Sequence, residues 1–241
     1  MLDFASKTHI GSRICNEDCT SVFTMGELDV FLLCDGLGGY GNGDIASKMA
    51  CDVFKESFCT AKGTIDERVT IAMNNCEEII LRMQKPEGGK KSISTTLCGL
   101  VLDDNEPYCV HCGDSRVYRF VNGKYVWRTE DHSLPQMLVM LGDIEPDKIR
   151  HHSDRNKLLA AIGQDKESFN YTFEKLVPND GDMEAFLLCS DGLWELITGD
   201  EMAKELNLAF SAEHWLERIF TIVVNRGGID MDNSTAIAVI R

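Results

Sequence analysis

Apolar residues along the chain follow two rhythms. Short unbroken runs such as Val30–Cys34 and Phe186–Cys189 are too brief for a helix and end in glycine-rich or polar sequence, so they read as strands buried on both faces. Phe4–Ile10, Cys19–Thr24, Thr95–Leu102, Tyr108–Cys112, Tyr171–Leu176 and Ser234–Ile240 read as further strands. Asn122-Gly123 is a type I′ hairpin signal that joins a strand over Val117–Val121 to one over Lys124–Arg128. Elsewhere the spacing is helical. Ile45, Met49, Val53 and Phe54 mark one helix. A capping box at Thr64–Glu67 opens a second, with Val69, Ala72, Met73, Cys76, Ile79, Ile80 and Met83 as its stripe and Pro86-Glu87-Gly88-Gly89 as its end. A short helix is expected over Leu134–Leu141 and another over Gly199–Leu208. A last one starts at Ser211 with Trp215, Ile219, Ile222 and Val223 on one face.

The helices therefore come in two pairs and the strands in two groups joined by short turns. That pattern predicts an α+β domain with layered antiparallel sheets. No Pro- or Ser-rich linker and no repeat array divides residues 1–241, so one domain is expected. Charge then narrows the partners. With 24 basic and 39 acidic residues the net charge is −15, which argues against nucleic acid and anionic membranes. No apolar run approaches the roughly 20 residues of a membrane span. Met1-Leu2-Asp3 leads into mixed sequence with no secretory signal, so a reducing cytoplasm is expected. The ten cysteines fit that setting. Cys34, Cys98 and Cys189 lie inside apolar runs as small hydrophobes. Cys109 and Cys112 have C-x-x-C spacing, but on a strand they face opposite ways, so burial is the reading there too.

Three carboxylates stand at strand mouths. Asp35 ends the first apolar run and is followed by Gly36, Gly38, Gly39, Gly41 and Gly43, which let backbone approach whatever the carboxylate binds. Asp191 ends the similar run Phe186-Leu187-Leu188-Cys189-Ser190, and Asp232 precedes Ala236–Ile240. Three Asp held by rigid elements suggest one metal site assembled from distant stretches.

An ordered motif set sharpens this. Arg13-x-x-Asn16-Glu17-Asp18, Asp35-Gly36-x-Gly38-Gly39, Ser94-Thr95-Thr96, Gly113-Asp114-Ser115-Arg116, Glu130-Asp131-His132-Ser133, Ser190-Asp191-Gly192-x-Trp194 and Asp232-Asn233-x-Thr235 follow one another along the chain. In these the sequence resembles the metal-dependent PP2C-type (PPM) protein serine/threonine phosphatases in their compact bacterial form, over nearly its whole length. The resemblance implies a four-layer α-β-β-α sandwich, with two central antiparallel sheets flanked by helix pairs and a flap at about 131–153. It implies Mn²⁺ or Mg²⁺ as two core ions plus a third, weaker one. Asp35 would bridge the core pair, Gly36 would lend a carbonyl, and Asp191 and Asp232 would complete the set. Glu17 and Asp18 would hold ion-bound waters from behind, and Asp114 would share the third ion with Asp191. Hard oxygen donors suit these ions. Arg13 corresponds to the phosphate clamp, which guanidinium geometry suits and an ammonium does not. The implied activity is hydrolysis of phosphoserine and phosphothreonine on proteins by direct attack of a metal-activated water. Arg13, Asp35 and Asp191 would be at its heart. The substrates would be those of a serine/threonine kinase, and the enzyme a cytoplasmic, signalling monomer.

One departure stands out. The family commonly carries a histidine in or just after the Asp-Gly-x-Gly-Gly motif, where this chain has Leu37 and Tyr40. The acid for the leaving alkoxide is then either a water held at the site or Tyr40. A catalytically weak or inactive phosphoprotein-binding relative is the alternative function; the retained Arg13, Asp35, Asp191 and Asp232 weigh against it. Singly, several of these residues have plainer readings. Asp114-Ser115-Arg116 suits a β-turn, Trp194 the core, His132 a structural role and His151-His152 a solvated pair. Asp230-x-Asp232-Asn233 lacks the Gly and closing Glu of an EF-hand.

Overall fold

The computed structural model describes residues 2–37, 42–84, 93–104, 106–164, 169–178 and 183–241. Its first sheet has the order β1 (Asp3–His9), β11 (Ser234–Ile240), β10 (Glu184–Cys189), β7 (Arg116–Val121), β8 (Lys124–Arg128). The second runs β2 (Asp18–Met25), β3 (Leu28–Leu37), β5 (Leu97–Asp103), β6 (Glu106–Cys112), β9 (Thr172–Lys175), with the two-residue β4 (Ser94–Thr95) pairing the end of β3. Every strand pairing is antiparallel.

Strand periodicity explains the unbroken apolar runs. Along β3, Phe31 and Leu33 point into the gap between the sheets, where they meet Leu100, Phe186, Leu188, Ile237 and Val239. Val30, Leu32 and Cys34 point the other way, onto α1 (Gly43–Thr60) and α2 (Ile65–Met83). On β10 and β11, Leu187, Cys189, Ala236 and Ala238 turn outward onto α4 (Asp191–Trp194), α5 (Gly199–Leu206) and α6 (Ala212–Gly227). Both faces of both sheets are therefore covered, which gives the expected four-layer α-β-β-α sandwich. Each fully buried Leu or Phe contributes about 1.5–3 kcal/mol by leaving water. Cys109 faces the inter-sheet core and Cys112 the α1–α2 layer, and all ten cysteines are free thiols.

Local signals hold in detail. The Thr64 hydroxyl accepts from the Glu67 amide at 3.3 Å and the Glu67 carboxylate from the Thr64 amide at 2.8 Å, closing the capping box. Asn122 and Gly123 have φ of 50° and 72°, as a type I′ turn requires. The short helix α3 spans Leu134–Leu141 as expected, with Ser133 as its cap. Three readings need correcting. The buried face of α1 is Gly43, Ala46, Ser47, Ala50, Cys51, Phe54, Ser57 and Phe58, while Ile45 is exposed. Of the predicted stripe Phe54 is buried and Met49 and Val53 pack against the core, so Ile45 alone is misplaced. Thr95–Leu102 breaks at Thr96, which leaves the ladder to bind the Asp35 backbone. Asp191–Trp194 adds a short helix directly after β10. The Pro86–Gly89 helix end and residues Gly38, Gly39, Tyr40 and Gly41 lie outside the described residues.

Candidate active site

The carboxylates gather where β3, β10 and β11 end side by side at one rim of the sandwich. β2 and β3 pair Asp18 opposite Asp35. Asp191 opens α4 immediately after β10, and Asp232 precedes β11, which pairs with β10. Asp114 sits in the turn between β6 and β7, beyond Gly113, whose φ is 103°. A cavity of about 230 Å³ is lined by Arg13, Glu17, Asp35, Gly36, Asp114, Asp191 and Asp232, along with Leu37, Asn156, Leu158 and Asn233. Asp18 lies just behind it. A larger open groove of about 630 Å³ between Gly123 and α5 has no comparable carboxylate set.

Main-chain and hydroxyl contacts fix the Asp35 backbone and the Asp18 and Glu17 carboxylates. The Thr96 hydroxyl accepts from the Asp35 amide at 3.1 Å and pairs with the Ser115 hydroxyl at 2.7 Å. Thr95 Oγ1 donates to the Asp35 carbonyl at 2.8 Å. Ser190 Oγ donates to Asp18 Oδ2 at 2.9 Å and accepts from the Thr235 amide at 3.0 Å. The other oxygen of Asp18, Oδ1, is buried without a partner among the described residues. Glu17 Oε1 accepts from the Gly43 amide at 3.1 Å, at the N-terminus of α1. Gly36 and Gly43 approach so closely that a Cβ on Gly36 would stand 2.0 Å from the Gly43 carbonyl oxygen. Only glycine fits there, which is the structural reason for that glycine pair in the sequence.

Asn233 organises the loop before β2. Its Oδ1 accepts from the Glu17 amide at 2.9 Å, and its Nδ2 donates to the carbonyls of Ile10 at 2.8 Å and Cys15 at 3.1 Å. The loop so fixed carries Arg13. Its Nε and Nη2 donate to the two Asp232 oxygens at 2.7 and 2.6 Å. Both side chains are well exposed, at 59% and 40%, so the fork is worth only about 0–1 kcal/mol and opens readily.

Behind Asp114 lies a buried ion pair that sequence reasoning missed. Arg116 Nε and Nη2 donate to Asp131 at 2.7 and 2.6 Å, and Nη1 donates to the Tyr118 hydroxyl at 2.9 Å. The guanidinium lies 3.4 Å from the centre of the Trp194 ring, and Trp194 Nε1 donates to the Asp114 carbonyl at 2.9 Å. Burial works against the Arg116 charge, but Asp131 and Tyr118 outweigh it and hold its pKa above the ordinary value. The Gly113, Arg116 and Asp131-His132 motif residues thus meet in space. His132 stacks on buried His111 at 4.5 Å between ring centres, and its amide donates to the Gly113 carbonyl at 2.9 Å, which gives it a structural role. Glu195, one residue beyond the Trp194 motif, was also missed. Burial first and Asp191 second push it up to about 7, and it accepts from Arg155 Nε at 2.7 Å.

The electrostatics are those of crowded carboxylates without enough compensating charge. Burial and then the neighbouring Asp18, Asp191, Asp114 and Asp232 push Asp35 well above the usual carboxylate range. Asp114 goes the same way through burial, Asp191 and Asp131, and Asp191 through burial and Asp232. Burial lifts Asp18 to about 7 against the pull of the Thr235 and Ser190 hydroxyls. Asp35 and Asp191 keep some open surface, but it faces a walled cavity rather than bulk water, so desolvation still dominates. Among the described residues no three acidic, His or Cys side chains already stand as a closed metal cage. Asp232 gives both its oxygens to Arg13. The donor chemistry nonetheless fits a hard cation: the donors are all oxygens, one buried oxygen of Asp18 is unpartnered, and the cluster favours taking up positive charge.

Comparison with known proteins gives a consistent picture. The family model described as "Protein phosphatase 2C" matches residues 6–227. A "Serine/threonine phosphatase stp" from Listeria welshimeri is 31% identical over 234 residues, covering 94% of this chain and 90% of that one. The serine/threonine phosphatase Stp1 from Staphylococcus aureus superposes with a TM-score of 0.90 at 24% identity, over 100% of this chain and 95% of its own. The catalytic domain of the serine/threonine phosphatase PstP, solved in complex with two manganese ions, superposes with a TM-score of 0.80 at 24% identity over 99% of this chain and 98% of its own.

Proposed function

The chain belongs to the protein phosphatase 2C family and is a serine/threonine phosphatase, and from that premise we propose that it cleaves phosphoserine and phosphothreonine esters on proteins with Mn²⁺ or Mg²⁺ held in the Asp35 cavity. Asp35, Asp191, Asp232 and the Gly36 carbonyl would hold two core ions, with Glu17 and Asp18 behind them. Asp114, with Asp191, would hold a looser third. Bound there, the ions would lower the pKa of an attacking water and neutralise the charge of the ester.

The chain's own residues supply the rest. Arg13 sits on the exposed side of the cavity in a fork with Asp232 that costs little to open. Exchanging that carboxylate for a phosphate dianion preserves its bidentate geometry and frees Asp232 to turn inward. Asp114 is buried, and the bond from Trp194 to its carbonyl fixes the backbone that carries it on the cavity wall. Leu37 and Leu158 at the mouth shield the carboxylates from bulk water.

The observation that carries this reading is the convergence of Asp35, Asp114 and Asp191 in one cavity, all pushed toward protonation by burial and by each other. We further propose that residues 1–241 act as one phosphatase domain, with 131–153 as a flap. In this reading it is a cytoplasmic monomer that opposes a serine/threonine kinase. Among the described residues no helix is long and apolar enough to cross a membrane. The test is turnover of p-nitrophenyl phosphate and a phosphothreonine peptide with Mn²⁺ and with EDTA, by the natural chain and by Asp191→Asn. Activity should require Mn²⁺ and vanish in Asp191→Asn while its circular dichroism stays unchanged. Near-normal turnover by the variant would overturn the site.

A further inference from the structure

A second hollow adjoins the active-site cavity. It has a volume of about 560 Å³ and shares Leu37, Asn156 and Leu158 with that cavity, while Leu134, Leu159 and Ala161 extend its apolar lining. Backbone hydrogen bonds fix its walls. Thr95 and Ile162 exchange two bonds, of 3.0 and 2.9 Å, on one side. On the other, Leu134 N donates to the Lys157 carbonyl at 2.9 Å and Leu159 N to the His132 carbonyl at 2.8 Å. Leu159 is 46% exposed despite lying in this well-ordered frame, so an apolar side chain is presented to solvent beside the chemistry.

The occupant follows from the substrate. A phosphorylated residue with its phosphate in the cavity carries its peptide past the rim. In an extended peptide the immediate neighbours point away and the residues two positions off point back to the same face, about 7 Å along. The groove shares three lining residues with the cavity, so it opens at the rim that this side chain passes. Its chemistry selects among side chains. Lys157, on the rim, pairs with Asp154 at 2.9 Å in the open, so it is a solvated, screened charge rather than a fixed anchor for an acidic residue. Leu37, Leu134, Leu158, Leu159 and Ala161 make up most of the lining, which favours an apolar side chain over a charged one that would lose its water there.

We propose that this groove reads the residue two positions from the phosphoserine or phosphothreonine and takes an apolar side chain of leucine or methionine size. The inference rests on the phosphatase reading above and adds the substrate class to it. Leu159 is the residue that sets the preference, through contact with the flanking side chain.

The test compares kcat/KM, with Mn²⁺, for phosphothreonine peptides bearing Leu, Ala, Asp or Lys two positions before, or two positions after, the phosphothreonine. p-Nitrophenyl phosphate, which has no flanks, is measured on the same preparations. On one side Leu should exceed Ala by roughly tenfold, as apolar pockets discriminate, with Asp below Ala. Leu159→Glu should bring the Leu/Ala ratio near one and raise the Lys peptide, and Leu159→Ser should reduce the ratio without favouring Lys. Equal rates for all peptides on both sides, while peptides and p-nitrophenyl phosphate still turn over, would overturn the groove and leave the phosphatase reading intact. A Leu preference unchanged in both variants would also overturn it. Failure of every substrate, p-nitrophenyl phosphate included, would sink the phosphatase reading and the groove with it.

Discussion

Truncating Asp131 should unfold the protein more readily than almost any single change at the rim. In Asp131→Ala the Arg116 guanidinium loses both of its 2.6–2.7 Å partners while remaining 4% exposed. The Tyr118 hydroxyl and the Trp194 face cannot neutralise it, and Arg128, whose Nη1 lies 3.5 Å from Asp131, adds a second cation to the same place. Removing one partner of such a buried pair costs about 3–5 kcal/mol. At about 2–4 °C per kcal/mol for a chain of this size, the melting temperature should fall by about 6–20 °C. Replacing the pair together, as Arg116→Met with Asp131→Leu, removes the most buried charge, leaves only the partly exposed Arg128 without its carboxylate, and should recover much of the loss. Urea titrations of both singles and the double close a mutant cycle. A single loss below about 1 kcal/mol, or a double equal to the sum of its singles, would show that the pair is not the electrostatic unit described.

Metal and pH should act together on stability. Asp18 rises from its usual 3.8 to about 7, with Asp35, Asp114 and Asp191 moving the same way. The folded chain therefore keeps protons that the unfolded chain has already released. In EDTA this stabilisation is full below about pH 4 and is lost as pH rises through about 7. Mn²⁺ replaces those protons, so the gap in melting temperature between Mn²⁺ and EDTA should widen from pH 5 to pH 8; a constant gap would refute the argument. Arg13→Ala should raise KM for phosphoesters, yet tighten Mn²⁺ binding in calorimetry because Asp232 is released; weaker Mn²⁺ binding would contradict the competition drawn from their fork. Asp114→Ala should slow phosphothreonine peptides far more than p-nitrophenyl phosphate, whose leaving group needs little protonation, whereas Tyr40→Phe should show no such contrast. The reverse pattern in the two variants would give the acid role to Tyr40.

The sequence was most informative where one period or one motif decides the outcome. Continuous apolar runs read as doubly buried strands because β3, β10 and β11 do face two cores. Thr64, Ser133 and Asn122-Gly123 act through contacts within a few residues, so their signals survive without tertiary context. On α1 only Ile45 was misplaced, and Ala46, Ala50 and Cys51 were overlooked because small residues give a weak periodic signal. At the site, Asp35, Asp114, Asp191 and Asp232 were each visible as residues, and their meeting in one cavity follows from strand order. What could not be read was pairing across 80 to 219 residues. Asn233 tying down Cys15, Arg13 forking onto Asp232 and Trp194 bridging Arg116 to Asp114 leave no periodic trace. The only clue to Asn233 was its place beside Asp232 in the motif.

The order of strands in the first sheet has a consequence for synthesis. Among the described residues β1 pairs only with β11 in that sheet, Asp3 opposite Ile240. The ribosome must therefore add more than two hundred residues before β1 finds its neighbour, a wait of about 10–50 s at usual elongation rates. Throughout that interval β1 and the outer side of β10 are open edges, the kind that recruit other chains. Asp232 also emerges only with β11, so no nascent chain shorter than this can assemble the carboxylate set. The carboxylate cavity is thereby tied to a chain synthesised through β11, and the burden of guarding those edges falls on whatever holds the chain as it leaves the tunnel.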